Sequence, residues 1–388
     1  MTPAARIAAA IEILDVILSG SAAEQALTGW ARRARFAGSK DRAAIRDLVF
    51  DGLRNLRSYA VLGGTQLETA TGRAVMLGRL HAAEQDPAEV FTGQGHAPST
   101  LQEQECQPGQ PEPNDLWNLP DWLNSAFRES CGASAFDEAR LLGQRAPVTL
   151  RVNAAKTTRD AVRTALQAEG ILADTNQLSD LALTVTEGAR QLTRTQCYLD
   201  GDFELQDAAS QAVVEALPVS LGSKILDYCA GGGGKSLALA ARGATVTAHD
   251  VSEARLEGII PRAQRAGVSI ARTADEATLA RQSFDVVLVD APCTGSGSWR
   301  RAPHEKWRLT PERLEELTQM QEAILAKAST FVREKGFLAY VTCSVLKPEN
   351  EVQAERFDHE PGWTAVLQKR WPISEHGDGF FLALWQRD

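Results

Sequence analysis

The chain has 388 residues, 44% hydrophobic and 23% charged, with six cysteines and a formal net charge of −9. This length exceeds one ordinary domain core, so two or three domains are expected. No run reaches the ~18–20 apolar residues of a membrane-spanning helix, so no membrane partner is expected. The cysteines are scattered without a CxxC pair, which disfavours a zinc or other metal site and a disulfide framework, and favours a reducing cytoplasm.

The first 85 or so residues are predicted to be helical. Apolar residues recur at steps of three and four from Ile7 to Leu18, with charged residues between them. This pattern predicts an amphipathic helix and not a signal peptide. Ser39 is expected to cap a second helix, whose apolar face follows at Ile45, Leu48 and Leu53.

Two clusters of basic residues contrast with the acidic whole. The net charge and a pI of about 5.4 argue mildly against nucleic acid as a partner. Local basic patches are nevertheless what a phosphate backbone needs. The N-terminal cluster includes Arg32, Arg33, Arg35, Arg42 and Arg46, and the C-terminal cluster consists of Arg300, Arg301, Lys306 and Arg308. Taken alone, each cluster is equally well explained as the solvated face of a helix.

The middle of the chain changes character twice. Residues 86–120 are rich in proline, glycine and glutamine, which predicts a linker or an extended loop. PVTLRVN, TTRDAVRTALQAEGI and DLALTV then predict a strand, a helix and a strand, which form a small α/β unit.

From Leu205 onward, predicted strands and helices alternate. The strands are SKILDYC, ATVTAHD, FDVVLVDAP, GFLAYVTCS and the closing GFFLALWQ, and the longer helices are SEARLEGIIPRAQRAG and TPERLEELTQMQEAILAKASTFV. Apolar strands that alternate with helices predict a parallel sheet covered on both faces. Ligands of such sheets bind outside the carboxyl ends of the strands.

A glycine-rich turn, DYCAGGGGKS at residues 227–236, lies between a predicted strand and a predicted helix. Gly234 and Lys235 fit the end of a phosphate-binding P-loop, but Cys229 occupies the place of its first glycine. The dinucleotide pattern GxGxxG fails in every register. Asp250 ends the next predicted strand, about 20 residues on, where an acid can bind two ribose hydroxyls. We therefore favour an adenosylmethionine turn over a P-loop or an ordinary tight turn.

Two of the six cysteines follow apolar predicted strands, Cys293 in VDAPCTGSG and Cys343 in AYVTCSV. Parallel strands place both cysteines at the edge that carries the glycine turn. A single such cysteine is best explained as a small buried hydrophobe. Two thiols at a ligand edge instead favour nucleophilic chemistry, because a thiolate is the strongest ordinary side-chain nucleophile.

One reaction needs a thiolate beside a methyl donor. Carbon 5 of a pyrimidine is a poor nucleophile, but thiolate addition to carbon 6 makes carbon 5 enamine-like, so that it can attack a sulfonium methyl group. The adduct must then lose the carbon-5 proton and expel the sulfur. A second cysteine and a nearby acid suit that reversal.

Four motifs, LDYCAGGGGKS, DAPCTGSGSWRRAPHEKW, VTCSVLKPENE and GDGFFLALW, together resemble those of RsmB-like RNA (cytosine-5) methyltransferases, and the resemblance covers most of the chain. FAGSKDRAAIRDLVFDGLR is similar to the NusB-like RNA-binding domain of bacterial members. The resemblance implies an α/β fold with three parts: an all-α NusB-like domain over residues 1–130 that includes the loop 86–120, a small α/β linker domain over residues 131–204, and a Rossmann-like class I methyltransferase domain over residues 205–388.

The resemblance also implies roles for the two cysteines and the acid near them. Cys343 would attack carbon 6 of a cytosine, and Cys293 would promote release of the methylated RNA. Asp290 would hydrogen-bond the cytosine edge and lie beside the methionine part of the cofactor. The expected substrate is ribosomal RNA of the small subunit, and the expected state is a cytoplasmic monomer.

The implied cofactor is S-adenosyl-L-methionine. The residues that would bind it are Cys229, Ala230, Gly231, Gly232, Gly233, Gly234 and Lys235 of the turn, with Asp250 at the ribose and Asp275 near the adenine. The residues that would contact RNA are Arg300, Arg301 and Lys306, together with Arg32, Arg33, Arg35, Arg42 and Arg46.

The chain departs from the family pattern at the turn, which usually reads Cys-Ala-Ala-Pro-Gly-Gly-Lys. Gly231 replaces the second alanine here and Gly232 the proline. Because the length is kept, we expect a looser turn that still binds the cofactor. Two other functions stay open: a P-loop NTPase acting on RNA, which Cys229 argues against, and a non-catalytic RNA-binding or assembly factor, which the presence of both cysteines argues against.

Overall fold

A computed structural model describes residues 1–279 and 282–388. Its helices are α1 (Pro3–Leu18), α2 (Ala23–Arg33), α3 (Ser39–Arg54), α4 (Leu56–Leu62), α5 (Gly72–Ala82), α6 (Asp121–Cys131), α7 (Ala135–Leu142), α8 (Arg159–Ala168), α9 (Gln196–Leu199), α10 (Ala208–Glu215), α11 (Gly234–Ala241), α12 (Glu253–Glu257), α13 (Ile259–Ala266), α14 (His304–Arg308), α15 (Pro311–Ser329) and α16 (Glu351–Asp358). Its strands are β1 (Val148–Val152), β2 (Leu172–Thr175), β3 (Ala182–Glu187), β4 (Phe203–Leu205), β5 (Lys224–Asp227), β6 (Thr245–His249), β7 (Ile270–Thr273), β8 (Phe284–Asp290), β9 (Val332–Thr342), β10 (Trp363–Trp371) and β11 (Phe380–Arg387).

The chain folds into two compact units, each built from segments that are discontinuous in sequence. The helical unit comprises Met1–Arg128, Gly132–Arg145 and Trp299–Leu309, and the α/β unit comprises Glu129–Cys131, Ala146–Ser298 and Thr310–Asp388. Residues 299–309, which lie within the predicted methyltransferase domain, belong to the unit of the N-terminal helices. The three-part functional division stays a prediction.

The helical unit is organised around α1, which packs on α3 and α5. Ile13 and Leu14 are buried at its centre, and each such side chain contributes about 1.5–3 kcal/mol of burial free energy. The predicted helix after residue 38 is present, but its predicted cap is wrong. Ser39 is the first residue of α3, and Gly38 precedes it without a side-chain cap.

Residues 86–120 are part of the helical unit, so the prediction of a linker is wrong, whereas the alternative of an extended loop agrees with the structure. The segment contains three short 3₁₀ turns, at Pro87–Glu89, Glu103–Glu105 and Asp115–Trp117. Phe91 and Trp117 are buried. Arg73 forms a 2.6 Å ion pair with Glu105, and this pairing lowers the pKa of Glu105. Buried apolar side chains and an ion pair therefore attach this loop to the helices.

The α/β unit contains two sheets. The smaller one is antiparallel, in the order β2-β3-β1-β4, and α8 covers it with Val162 and Leu166. The larger one has the order β10-β11-β9-β8-β5-β6-β7. Its strands from β7 to β9 pair in parallel, whereas β11 and β10 are antiparallel. The prediction of an α/β fold is confirmed, and the expectation of a wholly parallel sheet is wrong for the last two strands.

Both faces of the larger sheet are covered, as predicted. Val213 of α10 and Leu239 of α11 belong to the core on one face, and Leu325 of α15 and Phe357 of α16 belong to the core on the other. In the described part of the chain, no helix combines the length and the apolar character needed to cross a bilayer.

The predicted single helix over residues 252–267 is interrupted. The structure has α12 ending at Glu257 and α13 beginning at Ile259. Pro261 explains the break, because proline has no N–H to donate to the carbonyl four residues earlier, and its ring collides with that carbonyl. The carbonyl in question is that of Glu257, the last residue of α12.

The order of the strands in the larger sheet determines where the candidate site lies. In the register of the sheet, Asp227 at the end of β5 faces Leu288 of β8, and Asp290 at the end of β8 faces Val341 of β9. The carboxyl ends of three neighbouring parallel strands therefore meet at one edge, where ligands of α/β sheets bind.

Candidate active site

The loops after β8 and β9 bring Cys293 and Cys343 together, with 3.5 Å between their Sγ atoms. Both side chains are half-buried. Backbone hydrogen bonds tie the two loops, since the Ala291 N–H donates to the Val341 carbonyl at 2.8 Å and the Gly297 N–H to the Cys343 carbonyl at 2.9 Å. The sequence predicts that the two cysteines share an edge of the sheet, and the structure adds that they are in contact.

The cysteine pair is electrostatically asymmetric. The pKa of Cys343 is lowered, first because the Cys293 thiol donates a hydrogen bond to its sulfur and then because Lys235 is near, which outweighs the opposing effects of burial and Asp290. The pKa of Cys293 is raised well above its ordinary value by the same hydrogen bond, by burial and by the carboxyl group of Glu349. The pair thus favours a thiolate at Cys343 and a thiol at Cys293.

An ion pair between a buried lysine and a partly exposed aspartate lies beside the cysteines. Lys235 Nζ donates to Asp290 Oδ2 at 2.7 Å, and the Lys235 side chain is only 7% exposed. Burial alone would lower the pKa of Lys235, but Asp290 outweighs it and the pKa is raised. Lys235 therefore stays a cation, and it lowers the pKa of Cys343. Lys235 is therefore a residue of the turn that also acts on the cysteine pair.

The glycine turn has a shape that side chains would prevent. Gly231 and Gly233 have φ of +51° and +76°, and the Gly233 N–H donates to the Ala230 carbonyl at 2.8 Å. A Cβ on Gly233 would lie 2.6 Å from Ile259 Cγ1, whereas a Cβ on Gly231 would meet nothing within 4 Å. The turn is thus closed towards α13 at Gly233 and open at Gly231, where a ligand can approach the backbone.

Two acids flank the turn. Asp250, at the end of β6, accepts from the N–H of Gly231 and from the N–H of Ser252, both at 2.9 Å. Asp227, 1% exposed, accepts from the Ser236 hydroxyl at 2.5 Å. Its other oxygen, Oδ1, has no hydrogen-bond partner among the described residues. Burial raises the pKa of Asp227 to about 7.

Two arginines that the sequence does not single out hold the turn from outside. Arg262 Nη1 donates to the Gly232 carbonyl, and Arg262 is itself paired with Glu204 of β4 at 3.3 Å. Arg151 of β1 donates to the Gly234 carbonyl at 2.7 Å. These contacts support a turn that lacks the family's proline. Sequence spacing gave no signal for them, because the partners lie 30 and 83 residues apart.

The remaining cofactor candidates have local roles in the structure. Cys229 is half-buried, and burial raises its pKa, so it stays a thiol. The Ala230 N–H donates to the His249 carbonyl at 2.9 Å. Asp275 follows β7 and accepts from the Ala277 N–H at 2.9 Å as the cap of a 3₁₀ turn. Its predicted place near the adenine stays a prediction.

The N-terminal basic cluster lies on the surface of the helical unit. All five of its predicted RNA-binding arginines are exposed: Arg32, Arg33, Arg35, Arg42 and Arg46. Arg33 pairs with Glu12 at 2.7 Å, and Arg46 donates to Glu24 at 2.9 Å. The exposed cluster is accessible to a polyanion, and part of its charge is balanced by acids on neighbouring helices.

The C-terminal basic cluster is different, because Arg300 and Lys306 are each only 1% exposed. Lys306 Nζ donates to the Arg54 carbonyl at the end of α3, and Arg54 Nε donates to the Arg300 carbonyl, both at 2.7 Å. Burial and Arg54 lower the pKa of Lys306 to about 7. The expectation that Arg300 and Lys306 face RNA phosphate is not supported, because they brace the helical unit from within. Arg301 is exposed.

No group of three or more His, Cys, Asp or Glu side chains suited to a metal ion occurs in residues 1–279 and 282–388. The chemistry available at the sheet edge is that of a thiolate, a thiol, a buried ammonium group and carboxyl groups.

Two family models match this chain. Residues 214–386 match the model described as 16S rRNA methyltransferase RsmB/F, and residues 119–190 match the ferredoxin-like domain of the RsmF/B-like methyltransferases. The second match includes the small antiparallel strands β1 to β3, and the first includes the larger sheet with both cysteine loops.

Curated relatives agree with these models. The chain is 33% identical over 280 residues to the ribosomal RNA small subunit methyltransferase B of Citrobacter koseri, over 68% of this chain and 65% of that protein. It is 32% identical over 269 residues to the "Probable ribosomal RNA small subunit methyltransferase B" of Bacillus subtilis, over 65% of this chain and 59% of that protein. The matches thus span about three fifths to two thirds of the relatives' own length.

A solved structure shares the fold. A methyltransferase homolog protein from Pyrococcus horikoshii superposes with a TM-score of 0.63, at 22% identity, over 72% of this chain and all of that one. The two proteins therefore share a fold over that part of the chain.

Proposed function

The chain belongs to the RsmB/F methyltransferase family, and from this premise we propose that it transfers a methyl group from S-adenosyl-L-methionine to carbon 5 of a cytosine in RNA. Small-subunit ribosomal RNA is the proposed substrate, as the names of the relatives suggest. The observation that supports the cytosine-5 chemistry is the 3.5 Å contact between Cys293 and Cys343, with pKa values shifted in opposite directions.

The residues around the glycine turn fit the methyl donor. S-adenosylmethionine supplies an electrophilic methyl group on a sulfonium ion. The open backbone at Gly231 would accommodate it, with Asp250 at the ribose. The unpartnered Oδ1 of Asp227 is available for a hydrogen bond to a ligand, because a buried carboxyl oxygen calls for a hydrogen-bond partner. Gly233 and Lys235 complete the binding segment.

Cys343 is the nucleophile in this proposal. Its lowered pKa raises the thiolate fraction at neutral pH. The Sγ of Cys343 bonds to carbon 6 of the cytosine, and the electron pair of the 5,6 double bond moves into the ring, which makes carbon 5 nucleophilic. Asp290 hydrogen-bonds the cytosine edge and helps to polarise the ring, while Lys235 keeps that carboxylate paired.

Cys293 completes the cycle. After methyl transfer, carbon 5 must lose its proton and the bond between carbon 6 and Cys343 must break. The main cause of the raised pKa of Cys293 is its hydrogen bond to Cys343. Once Cys343 is bonded to carbon its sulfur is no longer an anion, so this cause is removed and the pKa of Cys293 falls. Cys293 can then release its own proton to solvent, and as a thiolate it takes the carbon-5 proton while the bond between carbon 6 and Cys343 breaks and its electron pair returns to the Cys343 sulfur.

The test is direct detection of the product. Small-subunit ribosomal RNA that lacks the modification is incubated with S-adenosylmethionine and the protein, then digested to nucleosides for mass spectrometry. Formation of 5-methylcytidine by the wild type and its loss in Cys343→Ala are expected. A methyl group on another atom, or undiminished product from Cys343→Ala, would contradict the proposal. A wild type that binds cofactor and RNA but forms no product would favour the non-catalytic alternative.

A further inference from the structure

Glu349 lies behind the two cysteine loops with no exposed surface. It ends the 3₁₀ turn Lys347–Glu349, which follows the Cys343 loop. A buried carboxyl group is costly unless its oxygens are hydrogen-bonded. The hydrogen bonds that it accepts therefore show what the group is there to hold.

The carboxyl group bridges the residues that directly follow each cysteine. Its Oε1 accepts from the Thr294 N–H at 2.8 Å, and its Oε2 accepts from the Thr294 hydroxyl at 2.5 Å. The same Oε2 accepts from the Ser344 hydroxyl. Thr294 follows Cys293 and Ser344 follows Cys343, so one side chain links both loops within one residue of each sulfur.

The bridge is itself fixed from two sides. The Tyr340 hydroxyl of β9 donates to the Glu349 carbonyl at 2.6 Å. Gln321 of α15 donates from Nε2 to Glu349 Oε1 at 3.1 Å and to the Pro292 carbonyl at 2.9 Å. Glu349 is thus anchored through its main-chain carbonyl to β9 and through its carboxyl group to α15.

We propose that Glu349 is a positioning residue whose carboxyl group holds the Cys293 loop against the Cys343 loop and so sets the separation of the two sulfur atoms. The effect of this separation on catalysis rests on the proposed function. The effect of Glu349 on the distance between the two sulfur atoms does not depend on it. A placement error of about 1 Å at a reacting group can cost on the order of 100-fold in rate.

When Glu349 is truncated to alanine, other hydrogen bonds still connect the two cysteine loops. The backbone bond from Gly297 to Cys343 and the 2.8 Å bond between the hydroxyls of Ser296 and Ser344 remain. The part of the loop that carries Cys293 and Thr294 loses both bonds to the carboxyl group. Glu349→Gln keeps the same length, and its amide nitrogen can donate to hydroxyls that rotate to accept. This variant therefore preserves the bridge.

The test measures how readily the two thiols capture phenylarsine oxide, which needs no RNA. The arsenic forms one bond to each sulfur, and the two thiol protons leave with its oxygen as water. Capture by the Cys293–Cys343 pair is followed by mass spectrometry with peptide mapping, and Cys343→Ala gives the background. Glu349→Ala is expected to slow capture by at least about tenfold, and Glu349→Gln to stay within about threefold of the wild type. Glu215→Ala, which removes a carboxyl group bonded to Ser179, is the matched control and is expected to leave capture unchanged.

Methyl transfer gives the second readout. In Glu349→Ala we expect kcat to fall by about 100-fold while KM for S-adenosylmethionine stays within about threefold, with recovery of kcat in Glu349→Gln. Wild-type capture rates in Glu349→Ala would overturn the proposal even if that variant were inactive. A glutamine variant as slow as the alanine variant would do the same.

If Glu349→Ala fails to fold, two other variants still test the proposal. Thr294→Val removes the hydroxyl bond to Glu349 and keeps the backbone N–H bond, whereas Ser344→Ala removes the bond on the Cys343 side. Each variant is expected to slow capture by about threefold to tenfold. Wild-type capture rates in both would overturn the proposal. Failure of the proposed function would instead appear as a wild type that makes no 5-methylcytidine, with the differences in capture intact.

Discussion

Cys293 and Cys343 lie 50 residues apart in the chain, and their Sγ atoms are 3.5 Å apart in the structure. The contact follows from the sheet, because β8 and β9 are parallel neighbours and each cysteine lies in the loop just after its strand. Since one thiol donates to the other sulfur, the pair shares a proton unequally, and the roles proposed for the two cysteines depend on that inequality.

The first prediction concerns the reactivity of Cys343. Because its pKa is lowered by the hydrogen bond from Cys293, the pH midpoint of its alkylation by iodoacetamide should lie below that of an ordinary thiol. Cys293→Ala removes the donor, so the midpoint should rise and the rate at pH 7 should fall. Cys293→Ser restores a donor and should recover most of the shift. Peptide mass spectrometry follows the alkylation of Cys343. Alkylation of Cys343 that is equally fast or faster in Cys293→Ala than in the wild type would contradict the account.

The second prediction concerns the ion pair between Lys235 and Asp290. Lys235 is the more buried partner, so Asp290→Asn leaves a buried ammonium group short of its counter-charge and should lower the free energy of unfolding by about 2–3 kcal/mol. Lys235→Met leaves the more exposed carboxylate and should cost about 1 kcal/mol or less. Urea denaturation of both variants measures these two losses of unfolding free energy. A larger loss in Lys235→Met than in Asp290→Asn would refute the prediction.

The third prediction concerns Asp227, whose pKa is raised by burial to about 7. Between about pH 4 and pH 7 the folded state keeps a proton that the unfolded state releases. The contribution of Asp227 to stability is therefore present below pH 4 and is lost as the pH rises through 7. Asp227→Asn does not titrate, so its stability relative to the wild type should increase between pH 5 and pH 8.5 by on the order of 3 kcal/mol. Unfolding free energies at both pH values are the measurement, and a difference that does not change with pH would rule the shift out.

The fourth prediction separates the two basic clusters. Arg32 and Arg35 are exposed on the helical unit, so the double variant Arg32→Gln, Arg35→Gln should reduce the slope of log K against log salt for RNA binding by about 1.5. Lys306→Met should leave this slope unchanged, because Lys306 is buried and donates to the Arg54 carbonyl. Filter binding over a salt series measures both slopes. A reduced slope in Lys306→Met would restore the prediction that the C-terminal cluster faces RNA.

The sequence was sufficient to predict which edge of the sheet carries the site and that the two cysteines lie there together. Apolar strands that alternate with helices determine a parallel arrangement, and parallel strands bring the residues after them to one edge. The motif around Cys293 and the motif around Cys343 could therefore be assigned to one site. The direction of β10 and β11 lies beyond this reasoning, because apolar alternation does not distinguish a parallel from an antiparallel neighbour.

Residues whose partners are distant backbone groups could not be predicted. Lys306 and Arg300 look like phosphate ligands in the sequence, and their burial depends on contacts with Arg54, 252 and 246 residues away. Glu349 could not be predicted for the same reason, since its hydrogen bonds to Thr294 and Ser344 form only when both loops are folded. Polar residues that brace a fold and polar residues that bind a ligand share one composition, and only the geometry separates them.

The central claim is that Cys343 bonds to RNA and Cys293 releases it, and trapping of the adduct tests this most directly. Cys293→Ala is incubated with S-adenosylmethionine and small-subunit ribosomal RNA, and the products are separated on a denaturing protein gel. The account predicts a slow band that ribonuclease removes and that is absent when Cys343→Ala is added to the same variant. A band that persists without Cys343, or no band with an RNA that the wild type methylates, would contradict it.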